Sequence, residues 1–509
     1  MDDDATFPRA SLTHLNDDPL LRRLSEWLSA TGSPAYLVGG AVRDCLLGCL
    51  TAGDGRGESS GYALDLDILV PSGGVRTARH LADRLGGAFY ILDAARDVGR
   101  VVLGKAAAGG QRIVDVAAFQ GATLLDDLRG RDFTLNAMAV DITRQPLTLI
   151  DPTGGLADLR AGCLRAVDTD SLQRDAVRTL RAVRLAAQFG FEIEPATLRL
   201  IEAAAPALNG VSAERVRDEL VKILALPNAA ASVQRLDQLG PLGVVLPELM
   251  PLKGLPQPHR VVDGFQHSLE VVAALERRLP PGEGGTTLSR PWWERLEAHL
   301  QTVLPGGHSR RLLLTLAGLL HDIGKPATLS RDPDGAPHFY GHEGVGAELA
   351  AAVLTRLRFS RPATEWVATI VRHHLRPLLL SREPVLTRRA VHRFFRDAGA
   401  AGVDVVLLAL ADHPPESALP EGEDGADAAL ARTADTLLEA WFECHAEVVA
   451  PPPLLSGGEL VRQYGLAPSP QIGQLQRDLQ EAQAAGEVTT TDQARAWVIE
   501  HLSQGRGVR

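Results

Sequence analysis

Strand-like runs in this chain crowd into one stretch, residues 35 to 152, and beyond about 156 helical patterns take over. YLVGGAV, DLDILV, FYILD, RVVLG and RIVDVAAF are short, rich in β-branched and aromatic residues, and separated by helical segments such as VRTARHLADRLGG. A chain patterned this way builds one small mixed sheet and then helices, so the expected fold class is α+β. Its 509 residues exceed what one core supports. We expect an N-terminal helix within 1–33 (residues 12–31), a mixed-sheet head over 34–152, a helical neck over 153–240, a second helical domain over 241–415 and a helical tail over 416–509. Polar Gly/Pro/acidic loops are expected at 51–61, 280–291, 305–309 and 414–427.

Within the head, GYALDLDILVPS (61–72) sets Asp65 and Asp67 among aliphatic residues. Residues i and i+2 of a strand share a face, so the two carboxylates project side by side, and both stay ionised only with a cation between them. Either the strand ends here, one aspartate capping and the other meeting solvent, or the pair clamps a divalent metal. Upstream, YLVGGAVRDCLLG (36–48) runs a strand into Gly39-Gly40 and then a helix carrying Arg43, which is either a tight turn or a cradle for a phosphate chain. Asp115, on a further strand, is either an edge polar residue or a third acid. Two metal ions on three carboxylates would activate a 3′-hydroxyl and stabilise a pyrophosphate leaving group.

Charge narrows the partners. The net charge of −11 speaks against a chain-wide affinity for polyanions, so any nucleic-acid contact must be local. Lysine occurs only at Lys105, Lys222, Lys253 and Lys325, which makes arginine clusters the candidates for phosphate or base contacts. In RDAVRTLRAVR, Asp175 and Arg178 are expected as i, i+3 neighbours on a helix. A carboxylate accepts from the exocyclic amine that cytosine and adenine share, while a guanidinium donates to ring acceptors, so the pair can select C and A over U and G. Arg178, Arg181 and Arg184 continue a stripe suited to a triphosphate. An intrahelical salt bridge is the plainer alternative.

With GGAVRD and DLDILV, the segments GRDFTLNAMAVD (130–141), DPTGGLADLRAGCLRAV (151–167) and RDAVRTLRAVRLAAQFGF (174–191) resemble the class II tRNA nucleotidyltransferase / poly(A) polymerase family. The resemblance implies a mixed-sheet head followed by helical neck, body and tail. It implies template-free addition of C, C and A, or a subset, to tRNA 3′ ends from CTP and ATP with Mg2+. Alternatives are a partial CC- or A-adding enzyme, a poly(A) polymerase, or a metal phosphohydrolase with a non-catalytic nucleotide-binding head. Residue by residue, it makes Asp65 and Asp67 metal ligands, Gly40 and Arg43 triphosphate contacts, and Arg131, Asp132 and Asn136 contacts to triphosphate and ribose. The sequence departs from the family pattern at Gly130, where a basic residue is usual, at Arg174, where an acid is, and at Ala176, where proline is. SAERVRDELVKIL (212–224) matches a supporting helix, with Glu214 and Arg217 structural; Arg160, Arg165, Arg215 and Arg217 are candidate RNA contacts.

The middle of the chain carries separate chemistry: His267 in GFQHSLEVV, His321, Asp322 and Lys325 in LLHDIGKP, and Asp412 in LALADH. Imidazole and carboxylate donors of this kind converge on a divalent ion whose identity depends on their number and geometry. The pattern resembles HD-domain metal phosphohydrolases, and His342, Glu343, His373 and His374 fit that group's additional residues. The end of the chain, 453–498, resembles the helical tail of HD-bearing members, with Ser469 where glycine is often found. Cys45, Cys49, Cys163 and Cys444 are too sparse for a disulfide framework. An acidic start without an apolar core and the lack of any membrane-length apolar run lead us to expect a cytoplasmic protein with no membrane partner.

Overall fold

The computed structural model describes Leu12, Leu15 and residues 18–53, 65–105, 111–256, 262–279, 292–413, 424–465 and 469–505. They fall into two compact units, one running to Val211 and including Leu239–Pro241, the other formed by Ser212–Gln238 and the chain from Leu242 on.

The first unit is built on one seven-stranded sheet. Its strands are β1 (Tyr36–Val38), β2 (Leu66–Val70), β3 (Ala88–Asp93), β4 (Val98–Lys105), β5 (Gln111–Ala118), β6 (Ala139–Asp141) and β7 (Thr148–Ile150). The order across the sheet is β3-β4-β5-β2-β1-β6-β7. β2 and β5 pair in parallel and the other neighbours antiparallel, which gives the mixed sheet expected. Along β2, Leu66, Ile68, Leu69 and Val70 are buried and Asp67 is not, so the strand offers a carboxylate on the face opposite Leu66 and Ile68. The helix Gly74–Leu85 returns the chain from β2 towards β3 and buries Ala78, Leu81 and Ala82.

Residues 13, 14, 16 and 17 of the expected N-terminal stretch lie outside the described residues, and within the stretch one helix spans Pro19–Ala30. Asp18 starts it by accepting from the N–H groups of Leu20 and Leu21, and Pro19 at the first helical position fixes the entry. Arg112 grips the same carboxylate at 2.9 and 2.6 Å, which ties this helix start to β5. The helix after Gly39 extends over Gly40–Gly53, so the loop expected from residue 51 begins later; its remainder, 54–61, lies outside the described residues. All of 280–291 and residues 414–423 lie outside them too, while the end of the second expected loop, 424–427, already belongs to the helix Asp424–Phe442.

Among the described residues from 155 on, regular structure is helical apart from two-residue strand pairs. In the second unit, the helices Gly264–Arg278, Arg310–Leu320 and Gly402–Asp412 pack together, and nearly every side chain of the last is buried. The tail has its own apolar cluster of Leu455, Leu460, Ile472, Leu479, Ala482, Val488, Ala494 and Val498.

Candidate active site

Strand register assembles the acids of the head. Asp67 lies directly opposite Asp115 in the parallel β2–β5 pair, and Asp65 immediately precedes β2. Asp67 keeps contact with solvent, but desolvation by the surrounding walls of the sheet pushes its carboxyl up to about 6, Arg131 opposing and Asp115 and Asp65 adding to the rise. Like charges crowded this closely are the condition a divalent cation relieves, so the donors fit a hard metal ion. Asp115 is less available than expected. Arg100, opposite it on β4, holds both its oxygens, Nε to Oδ1 and Nη2 to Oδ2, each at 2.8 Å. The sequence reading missed Arg100, because only the pairing of β4 with β5 reveals it.

Beside Asp67 opens a cleft of about 290 Å³ lined by Gly39, Gly40, Arg43, Arg131, Asp132, Asn136, Arg178, Arg181 and Arg184. Gly39 adopts φ +69°, and a Cβ there would stand 3.2 Å from both Asp67 Oδ2 and Arg131 Nη1. Glycine therefore lets the turn after β1 close over the acids. Arg43 donates to Asn136 Oδ1 and to Asp44 Oδ1, each at 2.7 Å, and lies 4.7 Å over the Phe189 ring. Asn136 in turn donates to Asp132 Oδ1 at 3.0 Å, and Arg181 donates to Asp132 Oδ2 at 3.1 Å. Burial alone would raise the Asp132 carboxyl, but Arg181, Asn136 and the Phe133 N–H hold it below its ordinary value. Each Asp132 oxygen accepts from a side chain of the same cleft, Oδ1 from Asn136 and Oδ2 from Arg181, so Asp132 orients both.

Asp175 corrects the sequence reading in one respect. It is extended (φ −153°, ψ 94°), between the short helix Ser171–Arg174 and the helix Val177–Phe189, and so is not a helical i, i+3 partner of Arg178. The chain changes direction there, and Asp175 meets Arg178 from outside the helix, Oδ2 to Nε at 4.0 Å. Arg178 is fixed from behind, donating to the carbonyls of Gly130 and Arg131 and to Ser171 Oγ at 3.0 to 3.1 Å. Arg174, where an acid is usual, pairs with Asp168 at 2.7 Å. Arg184 bonds Gln188 at 3.1 Å along its own helix while lining the cleft.

The second unit gathers a separate cluster. Ligand atoms of His267, His321 and Asp412 lie within 4.8 Å of one another, and so do those of Asp322, His342 and His374, all six residues buried. The two groups meet at Asp322: Oδ2 stands 3.3 Å from His321 Nε2 and 3.6 Å from His267 Nε2, and Oδ1 stands 3.4 Å from His342 Nε2. His321, His342 and His374 each set Nδ1 against a carbonyl, of Gly318, Phe339 and Val371, at 2.8, 2.7 and 2.7 Å. That contact turns each Nε2 lone pair inward, as metal-ligating histidines require. His321 Nε2 is buried without a hydrogen-bond partner, a deficiency that a divalent ion fills. Burial, with His321 nearby, pushes His374 down to about 3, which keeps it neutral as a ligand. Burial would raise Asp322 and Asp412, but His321 and Lys325 beside the first, and His413 and His267 beside the second, hold both well below the usual range.

Gly324 closes this site. A Cβ there would stand 2.1 Å from the His342 carbonyl, so only glycine lets the His321-Asp322 turn approach the helix His342–Arg356. Of the additional residues considered in the sequence, His342 and His374 join the cluster. Glu343 approaches only the back of His342, 3.8 Å from Nδ1, and His373 is not among the clustered donors. Lys325 was noted in the motif but not its role, a 2.6 Å ion pair with Asp322 Oδ2.

Three family models match the chain: the "Poly A polymerase head domain" over residues 35–165, the "Probable RNA and SrmB- binding site of polymerase A" over 190–253 and the "HD domain" over 264–413. The A-adding tRNA nucleotidyltransferase of Deinococcus radiodurans is 36% identical over 471 residues, covering 91% of this chain and 94% of that protein. The CC-adding tRNA nucleotidyltransferase of Thermus thermophilus is 34% identical over 479 residues, covering 92% and 94%. Among solved structures, a CCA-adding enzyme in complex with ATP shares the fold with a TM-score of 0.63 at 22% identity, over 97% of this chain and 98% of that one. The Thermotoga maritima CCA-adding enzyme complexed with tRNA gives a TM-score of 0.57 at 23% identity, over 95% and 96%. With its acids, its arginine-lined cleft and its HD cluster in that order, this chain belongs to the tRNA nucleotidyltransferase / poly(A) polymerase family.

Proposed function

We propose that the protein extends tRNA 3′ ends by C, C and A, or a subset of these, using CTP and ATP without a nucleic-acid template. The observation that carries the reading is that Asp67, with Asp65 just before its strand, lines one cleft with Gly39, Arg43, Arg131 and Arg181. Asp65 and Asp67 are the residues that would hold Mg2+, which when bound supplies charge stabilisation at the reacting phosphate. The Gly39-Gly40 turn and Arg43 bind the outer phosphates, with Arg181 and Arg184 alongside. Asp175 accepts from the base amine and Arg178 donates to the ring acceptors. The acceptor 3′-oxygen displaces pyrophosphate from the α-phosphorus in line, and Arg43 and Arg131 orient the departing group.

The relatives aligned along the whole chain favour a partial enzyme, since the Deinococcus protein is A-adding and the Thermus protein CC-adding. Transcripts ending before the first C, after one C and after two, each offered CTP, ATP or both, separate the readings. Addition of C, C and A marks a complete enzyme. Arrest after the second C, or extension only of the third transcript with ATP, marks a partial one, and no extension of any transcript overturns the proposal.

For the second unit we propose a metal-dependent phosphohydrolase centre on His267, His321, Asp322, His342, His374 and Asp412. A phosphatase assay on wild type and His321→Ala, with metal analysis, distinguishes it from a scaffold. The domain division 1–33, 34–152, 153–240, 241–415 and 416–509 is part of this proposal. So is a cytoplasmic location; among the described residues no helix is long and apolar enough to cross a membrane.

A further inference from the structure

We propose that Arg100 is an acceptor-positioning residue, its guanidinium binding the last phosphodiester of the strand whose 3′-hydroxyl is extended. The inference rests on the nucleotidyl-transfer reading above. One row of residues crosses the sheet: Arg100 on β4 opposite Asp115 on β5, Asp115 opposite Asp67 on β2, and Asp67 opposite Val38 on β1, which leads directly into Gly39. Directly opposed residues share a face, and neighbouring strands lie about 4.8 Å apart, so the Arg100 backbone stands roughly 10 Å from that of Asp67, on the side away from Gly39.

The direction of the reaction gives that position its meaning. Gly39, Gly40, Arg43, Arg131, Arg178, Arg181 and Arg184 line the cleft together with Asp67, whereas Arg100 and Asp115 do not. An in-line displacement puts the attacking and leaving oxygens on opposite sides of the phosphorus. With pyrophosphate drawn towards Gly39 and Arg43, the 3′-oxygen arrives over Asp115, and the phosphodiester behind it comes within reach of β4. Asp115 grips Arg100 through Nε and Nη2, which fixes the plane of the guanidinium and leaves its Nη1 edge for a second anion. The Arg100 side chain is 35% exposed, against 19% for Asp115, so the cation is the accessible member of the pair.

The test uses the full-length protein, tRNA transcripts with either a natural or a neutral methylphosphonate last linkage, and Arg100→Gln and Arg100→Lys. Arg100→Gln is expected to raise KM for tRNA about tenfold while KM for the nucleotide and the Mg2+ requirement stay as in wild type. Arg100→Lys falls between, keeping the charge without the fork. The methylphosphonate transcript loses a similar factor with wild type and no further factor with Arg100→Gln. In metal-free binding, Arg100→Gln lowers affinity for the natural transcript and reduces the log–log salt slope by about one. An unchanged KM for tRNA, losses that multiply between Arg100→Gln and the methylphosphonate, or a deficit confined to nucleotide or metal use each overturn the assignment and leave a cross-strand ion pair of structural value only. A wild type that extends no transcript instead overturns the nucleotidyl-transfer reading, and the metal-free binding comparison still decides the role of Arg100.

Discussion

Arg178 donates from Nη1 to the carbonyl oxygen of Arg131 at 3.0 Å, so the residue proposed to read the base is held by the backbone of the segment that supplies a phosphate contact. Its other donors reach Gly130 and Ser171, and Asp175 approaches its Nε edge. A fork held at several points discriminates by geometry, which a lysine cannot reproduce. Arg178→Lys is therefore expected to lower the preference for C and A over U and G by about ten- to a hundredfold, in line with 1–3 kcal/mol for one bidentate base contact. The check is the ratio of kcat/KM values for the four nucleotides. An unaltered ratio with a lower rate would assign Arg178 to phosphate binding alone.

The turn after β1 gives a second prediction. Gly39 combines a positive φ with side-chain atoms of Asp67 and Arg131 3.2 Å from where a Cβ would stand. Gly39→Ala strains the backbone by about 1–2 kcal/mol and displaces either the acid or the arginine. The expected outcome is a soluble enzyme with a raised nucleotide KM and a largely unchanged tRNA dissociation constant. Equal losses in both would mean that the head has rearranged beyond the turn.

What could be read in advance follows from the range of the interactions. β1 to β5 were legible because each combines β-branched residues with flanking turn residues. β6 and β7 were not, since each has only three residues and exists through pairing across the sheet, Val38 with Ala139 and Ala139 with Ile150. The same limit explains the sites. Asp65, Asp67 and Asp115 announced themselves by residue type. Arg100 did not, because its importance lies in which strand stands beside which. In the HD cluster, the sequence offered His373 and His374 equally. A helix turns about 100° per residue, and the packing of Arg361–His373 directs only the second inward.

A buried charge network supplies a third prediction, with a pH signature. The ordinary carboxyl value of Asp132 is 3.8, and in the folded protein it is lowered, burial being outweighed by Arg181, Asn136 and the Phe133 N–H. A depressed carboxylate contributes stability that is present above the unfolded pKa and lost as pH falls through the folded one. Arg181→Gln removes one partner of a carboxylate that is 6% exposed and is expected to cost about 1–3 kcal/mol at pH 7, Asn136 and the backbone retaining part of the satisfaction. The difference in melting temperature between wild type and variant should shrink below about pH 4, where protonation removes the charge that Arg181 neutralises. A gap that widens in acid would contradict the assignment.

The HD cluster provides the last. Asp322 presents one oxygen to His321 and His267 and the other to His342, so a single carboxylate joins both groups of donors, and His321 Nε2 lacks a hydrogen-bond partner. The two groups of donors that share Asp322 offer places for two cations, so metal content should approach about two divalent ions per chain. A site loaded at a hundredfold excess over its dissociation constant adds about 2.7 kcal/mol, and chelation should therefore lower the melting temperature by roughly 5–10 °C. His374→Ala should lose about one ion and part of that shift, because its Nε2 lies only 3.4 Å from that of His342. His373→Ala should lose neither, since His373 is not among the clustered donors. Elemental analysis beside thermal melts of the two variants decides the matter, and equal metal loss in both would mean that the histidines act through helix packing instead of ligation.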